Sequence, residues 1–145
     1  MHTYTHQIQY YETDKMQITH HSNYIRFMEE ARVDFLNHIG FGYDKMEELG
    51  ISSPVIGVQC DYKKSTTFPD LITIETGISS YKGTRLEIKY TMKVNDEIVA
   101  VGKSLHCFLN PHGRPIILKK ALPELDQIFV ELLDKDINDA KWIIS

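Results

Sequence analysis

The hydrophobic period of this chain changes sharply near Ser53, and that change limits the folds open to it. From Ser22 onward the apolar residues Tyr24, Phe27, Met28, Ala31, Phe35 and Ile39 recur at steps of three and four, while Arg26, Glu30, Asp34 and Asn37 fall off the stripe. That spacing predicts an amphipathic helix of about five turns, with Gly40 and Gly42 able to stop it in a left-handed conformation. After Ser53 the period falls to two. Residues 54–64, 71–81, 84–94 and 97–109 are rich in branched and aromatic side chains and read as four long strands. Ile72, Ile74, Thr76 and Ile78 share one strand face, and Leu86, Ile88, Tyr90, Met92 and Val94 share another.

Turn signals separate these strands: F-P-D at 68–70, K-G at 82–83 and N-D at 95–96, the last two short enough for hairpins. Residues 3–11 alternate as a further strand, so that one of Tyr10 and Tyr11 is expected in the core, and the polar stretch to His20 reads as a loop. Y-D-K-M-E-E-L-G at 43–50 suggests a short second helix. N-P-H-G-R-P at 110–115 ends the last strand, 116–118 is expected to add a short extended piece, and Leu125, Ile128, Phe129, Leu132 and Leu133 form a final helical stripe. The expected architecture is α+β: a long helix covered by a five- to six-stranded antiparallel sheet, with a C-terminal helix, as one domain over residues 1–145. Such a sheet leaves an edge and a face uncovered, which predicts a symmetric oligomer.

Composition narrows the partners. With 20 acidic and 16 basic side chains, the net charge of −4 supplies no general attraction to nucleic acid or anionic lipid. No apolar run is long enough for a membrane helix, and the first residues lack the pattern of a secretory signal, so a cytoplasmic location is expected. The two cysteines, Cys60 and Cys107, stand alone in strand-like runs and read as buried small hydrophobes, with neither a disulfide framework nor a zinc site.

Titratable and polar side chains concentrate in Tyr10, Tyr11, Glu12, Asp14, His20, His21, Asn23 and Tyr24, across the loop and the start of the long helix. A helix N-terminus leaves backbone N–H groups unpaired and carries partial positive charge, so it can stabilise an oxygen becoming an anion. Asp14, seven residues before His21, could attack a carbonyl or activate water against that helix end. The plainer readings are a turn-forming Asp14 and an N-capping Ser22. His20 and His21 are adjacent and point apart, which argues against metal. His106 reads as a hydrogen-bonded core or interface residue, and Glu29 and Glu30 as a solvated face. Lys63, Lys64, Lys82, Arg85 and Lys103 are surface charge or a cluster suited to the phosphates of a nucleotide carrier.

The segment Y-Y-E-T-D at 10–14, followed by H-S-N-Y at 21–24 and by Glu29, Glu30, Ala31 and Arg32, resembles the 4-hydroxybenzoyl-CoA thioesterase-like branch of the hotdog-fold acyl-CoA thioesterases. The likeness extends through V-Q-C-D-Y at 58–62, F-P-D at 68–70 and Y-K-G-T at 81–84. It implies a hotdog fold, dimers whose sheets continue across the interface, tetramers in some members, and active sites between subunits. By resemblance Asp14 is the nucleophile or general base, His21 the helix-start residue whose amide polarises the thioester oxygen, and Tyr10 a support for the aspartate. His20, Ser22, Asn23, Tyr24, Lys64, Lys82 and Arg85 are the substrate-binding candidates. No metal or organic cofactor is implied, because coenzyme A or acyl carrier protein arrives as part of the substrate.

Two departures stand out. Lys15, Met16 and Gln17 occupy a stretch where many members carry small residues, and His20 sits where the acyl-carrier-protein branch places a histidine, leaving the carrier open. Two rival readings remain beside hydrolysis. One is a hotdog dehydratase or hydratase using a histidine with Glu29 or Glu30. The other is a non-hydrolytic acyl-thioester binding or scaffold protein.

Overall fold

The computed structural model describes residues 1–138; positions 139–145 of the expected domain lie outside the described residues. Five strands, β1 (His2–Gln7), β2 (Val55–Tyr62), β3 (Leu71–Tyr81), β4 (Arg85–Val94) and β5 (Glu97–Cys107), form one sheet in the order β1-β3-β4-β5-β2. Every pairing is antiparallel. The four helices are α1 (Ser22–His38), α2 (Tyr43–Glu48), α3 (Leu118–Ala121) and α4 (Pro123–Asn138). The hairpins at 82–84 and 95–96 fall where the K-G and N-D signals place them, and Asn95 and Asp96 both take positive φ, the backbone that a two-residue hairpin turn needs.

α1 lies across one face of the sheet because its apolar stripe meets the inward rows of the strands. Phe27, Met28, Ala31 and Phe35 are buried against Ile72, Ile74, Ile78, Leu86, Ile88, Tyr90 and Met92. Gly102 in β5 makes the approach close: a side chain there would collide with the Met28 sulfur and press on the Gln59 carbonyl. α4 extends the cover beside the C-terminal half of α1, with Phe129 against Tyr81 and Phe108. Its Asp136 accepts the Ile78 N–H at 2.8 Å, satisfying a donor next to the β3 irregularity between Ile78 and Ser80.

Three expectations are corrected. The expected first strand stops at Gln7, because the Glu12 side chain accepts the Gln9 N–H at 2.7 Å and curls Tyr10–Glu12 into a 3-10 turn. Strand alternation therefore does not reach Tyr10 and Tyr11, and both are exposed. Residues 116–118 add no sixth strand: Leu109 makes isolated bridges to Ser52 and Pro115, and Leu118 opens α3. Cys60 and Cys107 are free, as expected, but half-buried.

The core holds one polar chain. Tyr90 Oη bonds Ser104 Oγ at 2.8 Å, and Ser104 Oγ bonds His106 Nε2 at 2.8 Å. Burial, with the Arg32 charge nearby, lowers His106 from the ordinary 6.5 to about 4. An unfolded chain then takes up a proton at this residue that the folded one refuses, so this contribution to stability is complete above pH 6.5 and is lost as pH falls toward 4. Wild type is expected to lose about 3 kcal/mol through this group across that interval. Urea unfolding at pH 7.5, 6 and 4.5 checks it: the slope should flatten in His106→Gln, and an unchanged slope would assign the pH dependence elsewhere.

Candidate active site

The loop between β1 and α1 is built around one buried carboxylate. Glu12, 2 % exposed, accepts the Gln9 N–H, bonds His6 Nε2 at 2.9 Å with Oε1, and receives Arg26 of α1 on Oε2. Its backbone carbonyl accepts the His20 N–H at 2.8 Å and the Asn23 side-chain amide at 2.9 Å. The strand end, the turn and the first turn of α1 are therefore tied to one residue. Burial alone would raise the Glu12 pKa, but the Gln9 amide, His6 and Arg26 outweigh it and hold it below the ordinary 4.5.

Residues 14–18 form a tight bend within this frame. Asp14 N–H donates to the Ile18 carbonyl and Gln17 N–H to the Asp14 carbonyl, both at 2.9 Å. Asp14 Oδ1 accepts the Met16 N–H at 2.8 Å and the Ile18 N–H at 3.3 Å. One carboxylate oxygen is thus anchored, and Oδ2 has no partner among the described residues. Gln17 at φ 64° adopts the left-handed backbone that small residues favour; this is how the chain makes the bend without the small-residue stretch. Thr19 and Thr66 interlock side chain to side chain at 2.7 Å, and Thr67 Oγ1 donates to the Gln17 carbonyl, so the 63–70 connection backs the bend.

At the helix entrance the His20 ring performs the capping expected of Ser22. His20 Nδ1 accepts the Ser22 N–H at 3.3 Å and sits 2.8 Å from Ser22 Oγ. The His21 N–H has no hydrogen-bond partner among the described residues, while its carbonyl accepts from Tyr62 Oη at 3.2 Å. Asp14, Thr19, His21, Tyr24, Tyr62 and Lys64 line one open cleft of about 480 Å³. The acid and the helix entrance therefore share a cleft.

The other sequence candidates divide. Tyr24 lines the cleft but is buried, its hydroxyl 2.8 Å from Thr66 Oγ1. Lys64 lines it with its ammonium on Glu97. His20 and Ser22 pair with each other, and Asn23 braces Glu12, His20 and Arg26. Tyr10 shares a neighbouring groove with Asp14, makes no hydrogen bond to it, and packs edge-on to Phe68. Lys82 and Arg85 sit at the β3–β4 hairpin, where Arg85 pairs with Cys107; the cleft lies at the other end of the sheet, where Tyr62 pairs with Ala100. That places them about 24 Å away along the strands at ~3.4 Å per residue, outside the cleft of their own chain.

Sequence reasoning names Glu12 and Tyr62 within motifs and Arg26 off the helix stripe without giving them a role, and does not single out Thr66. Only the clustering of polar residues around Glu12 hinted at its role, and nothing in the local pattern marks Thr66. Cys60 is no nucleophile by its environment, since burial raises its thiol pKa. Glu30 is engaged with Tyr4 at 2.9 Å and His6 at 3.4 Å, which removes it from the solvated face expected for it.

A long helix wrapped by an antiparallel sheet, with a loop carboxylate at the helix entrance, defines a hotdog-fold protein. The chain belongs to the thioesterase-like superfamily, whose profile matches residues 8–133. It is 32% identical over 120 residues to YneP of Bacillus subtilis, named as a candidate acyl-CoA thioesterase, covering 81% of this chain and 87% of that one. Among solved structures, a DHNA-CoA thioesterase from Staphylococcus aureus is 29% identical with a TM-score of 0.87, covering 96% of this chain and 94% of that one. An Aquifex aeolicus structure is 31% identical with a TM-score of 0.80, covering 86% and 98%.

Replacing Glu12 by Gln keeps the shape and removes the charge that Arg26 and His6 face. A loss of about 2 kcal/mol is expected at neutral pH. Because the folded pKa of Glu12 is lowered, its contribution is present above pH 4.5 and disappears as pH falls through the folded value. The gap between wild type and Glu12→Gln in chemical denaturation should therefore close on acidification; a gap independent of pH would disprove the charge clamp.

Proposed function

We propose that the protein hydrolyses acyl thioesters of coenzyme A or acyl carrier protein to the free acid and thiol. The observation that carries this reading is the shared cleft, lined both by an oriented Asp14 and by His21 at the entrance of α1, where one Asp14 oxygen and the His21 amide have no partner among the described residues. The names of the relatives point the same way. In the proposed reaction the thioester carbonyl oxygen takes the His21 N–H and the positive end of α1. Asp14 then either accepts a proton from the attacking water or attacks the carbonyl itself, forming an anhydride that water opens. In both routes the carbon–sulfur bond breaks, the acyl carbon gains a water oxygen, and the sulfur leaves as thiol. Neither route calls for a metal or an organic cofactor.

The dehydratase reading gains nothing from Glu30, which Tyr4 and His6 occupy. Asp14→Asn is expected to lower kcat for acyl-CoA hydrolysis at least about 100-fold with little change in KM. Thiol release across alkyl and aryl acyl-CoAs and acyl carrier proteins measures it, and equal turnover by the two forms would remove Asp14 from the mechanism.

We also propose that the working unit is a homodimer or homotetramer assembled through β2. This edge strand exposes Val55, Ile56, Val58 and Tyr62, an apolar strip with one side of its backbone unpaired among the described residues. Tyr62 also braces the cleft, so assembly would complete its open side. Val58→Lys should shift the protein toward monomer in analytical ultracentrifugation and depress activity with it. A wild type that stays monomeric at high micromolar concentration would refute this assembly.

A further inference from the structure

A second cavity of about 450 Å³ lies away from the Asp14 cleft, between the C-terminal half of α1, α2, the start of β2 and α4. Within one chain it sits at the Val55 end of β2, whereas the cleft sits at the Tyr62 end. Its wall is largely apolar, with Leu36, Ile88, Phe108 and Phe129 prominent. Of the polar side chains in that wall, two are buried. Arg32, 8 % exposed, donates from Nε to Tyr43 Oη at 3.0 Å and stands near the Tyr90 hydroxyl. None of the ion pairs among the described residues includes it. His106, 1 % exposed, has Nε2 on Ser104, while Nδ1 faces the Ser53 and Pro54 carbonyls without completing a hydrogen bond.

An arginine stays charged at every accessible pH, and neutral phenols orient it without balancing its charge. A guanidinium held in an apolar wall without a carboxylate is therefore an incomplete electrostatic arrangement. The carboxylates nearest in the lining, Glu29 and Glu47, are exposed on helix surfaces and make no ion pair with it. The group that completes the arrangement is an oxyanion of planar, two-oxygen geometry, which the guanidinium fork matches. The apolar walls require that this anion be carried on an apolar body.

We propose that this cavity binds a small carboxylate on an apolar ring or chain, with Arg32 gripping the carboxylate, His106 Nδ1 at its flank, and Leu36, Ile88 and Phe129 enclosing the body. Two β2 strands paired by a two-fold run antiparallel, which sets this cavity beside the partner's cleft, so on the proposed assembly the carboxylate comes either from the far end of an acyl group whose thioester lies in the partner's cleft or from a separate acid; the chemistry of recognition is the same.

Calorimetric titration of the full chain with 2-naphthoate and octanoate, each beside its primary amide, tests the proposal. Saturable binding of the acids is expected, with the amides at least about tenfold weaker. Arg32→Gln should abolish that discrimination, and Arg32→Lys should retain part of it. Because Arg32→Gln can disturb folding, Tyr43→Phe supplies a second variant at an exposed position; losing the Nε anchor, it should weaken acid binding several-fold and leave the amides unchanged. Equal affinity of wild type for acid and amide, or no saturable binding of either acid at millimolar concentration, would overturn the site. So would full discrimination persisting in folded Arg32→Gln.

The source of the carboxylate is read from initial rates on glutaryl-CoA and valeryl-CoA. A preference for glutaryl-CoA that disappears in Arg32→Gln assigns it to the acyl group; acid binding without that preference assigns it to a separate ligand. The titration needs no turnover, so failure of thioester hydrolysis and failure of this site give different results.

Discussion

The arrangement of the cleft depends on a single buried carboxylate. Glu12 has almost no contact with solvent, and its two oxygens and its carbonyl together reach β1, the turn after it and the first turn of α1. A charge this deeply placed is tolerable only when opposite charges and amides surround it. Those same partners fix where the following residues run. The Asp14 bend is thus positioned from outside, by a neighbour two residues away that does not itself enter the cleft.

The surrounding helix contact is polar in an ordered way. Alternate residues of β1, namely His2, Tyr4 and His6, meet Asp34, Glu30 and the Arg26–Glu12 pair. Steps of two along a strand and of four along a helix cover similar distances, about 6.8 Å and 6 Å. The two rows therefore stay in step for three contacts. This explains how an edge strand with alternating exposed residues holds its register against α1, although its side toward the helix carries little apolar surface.

Much of this was legible in the sequence. The stripe from Tyr24 to Phe35, the inward rows of β3 and β4 and both hairpin turns follow from period and turn chemistry, and they correspond to the observed elements. Asp14 and His21 stood out because a carboxylate and a helix start lay within one loop length. What escaped were contacts made by closure of the sheet. Thr66 meets Thr19 across 47 positions, and Tyr62 reaches His21 across 41. Local pattern carries no information about which distant loop backs a bend. Tyr10 and Tyr11 depart from alternation for a different reason: a side-chain hydrogen bond to Gln9 N–H ends the strand before it reaches them. Charge alone groups Lys82 and Arg85 with Lys64, and only the strand register separates them.

The position of β2 has a wider consequence. This strand is at once the sheet's free margin, the brace of the helix entrance through Tyr62, and, at Val55, a wall of the Arg32 cavity. A substitution along its eight residues that alters how it sits on β5 is felt at both sites together, with opposite ends of the strand moving as one lever. Variation that retunes one binding chemistry while sparing the other is thereby steered toward α2, α4 and the 63–70 loop, the walls that the two sites do not share.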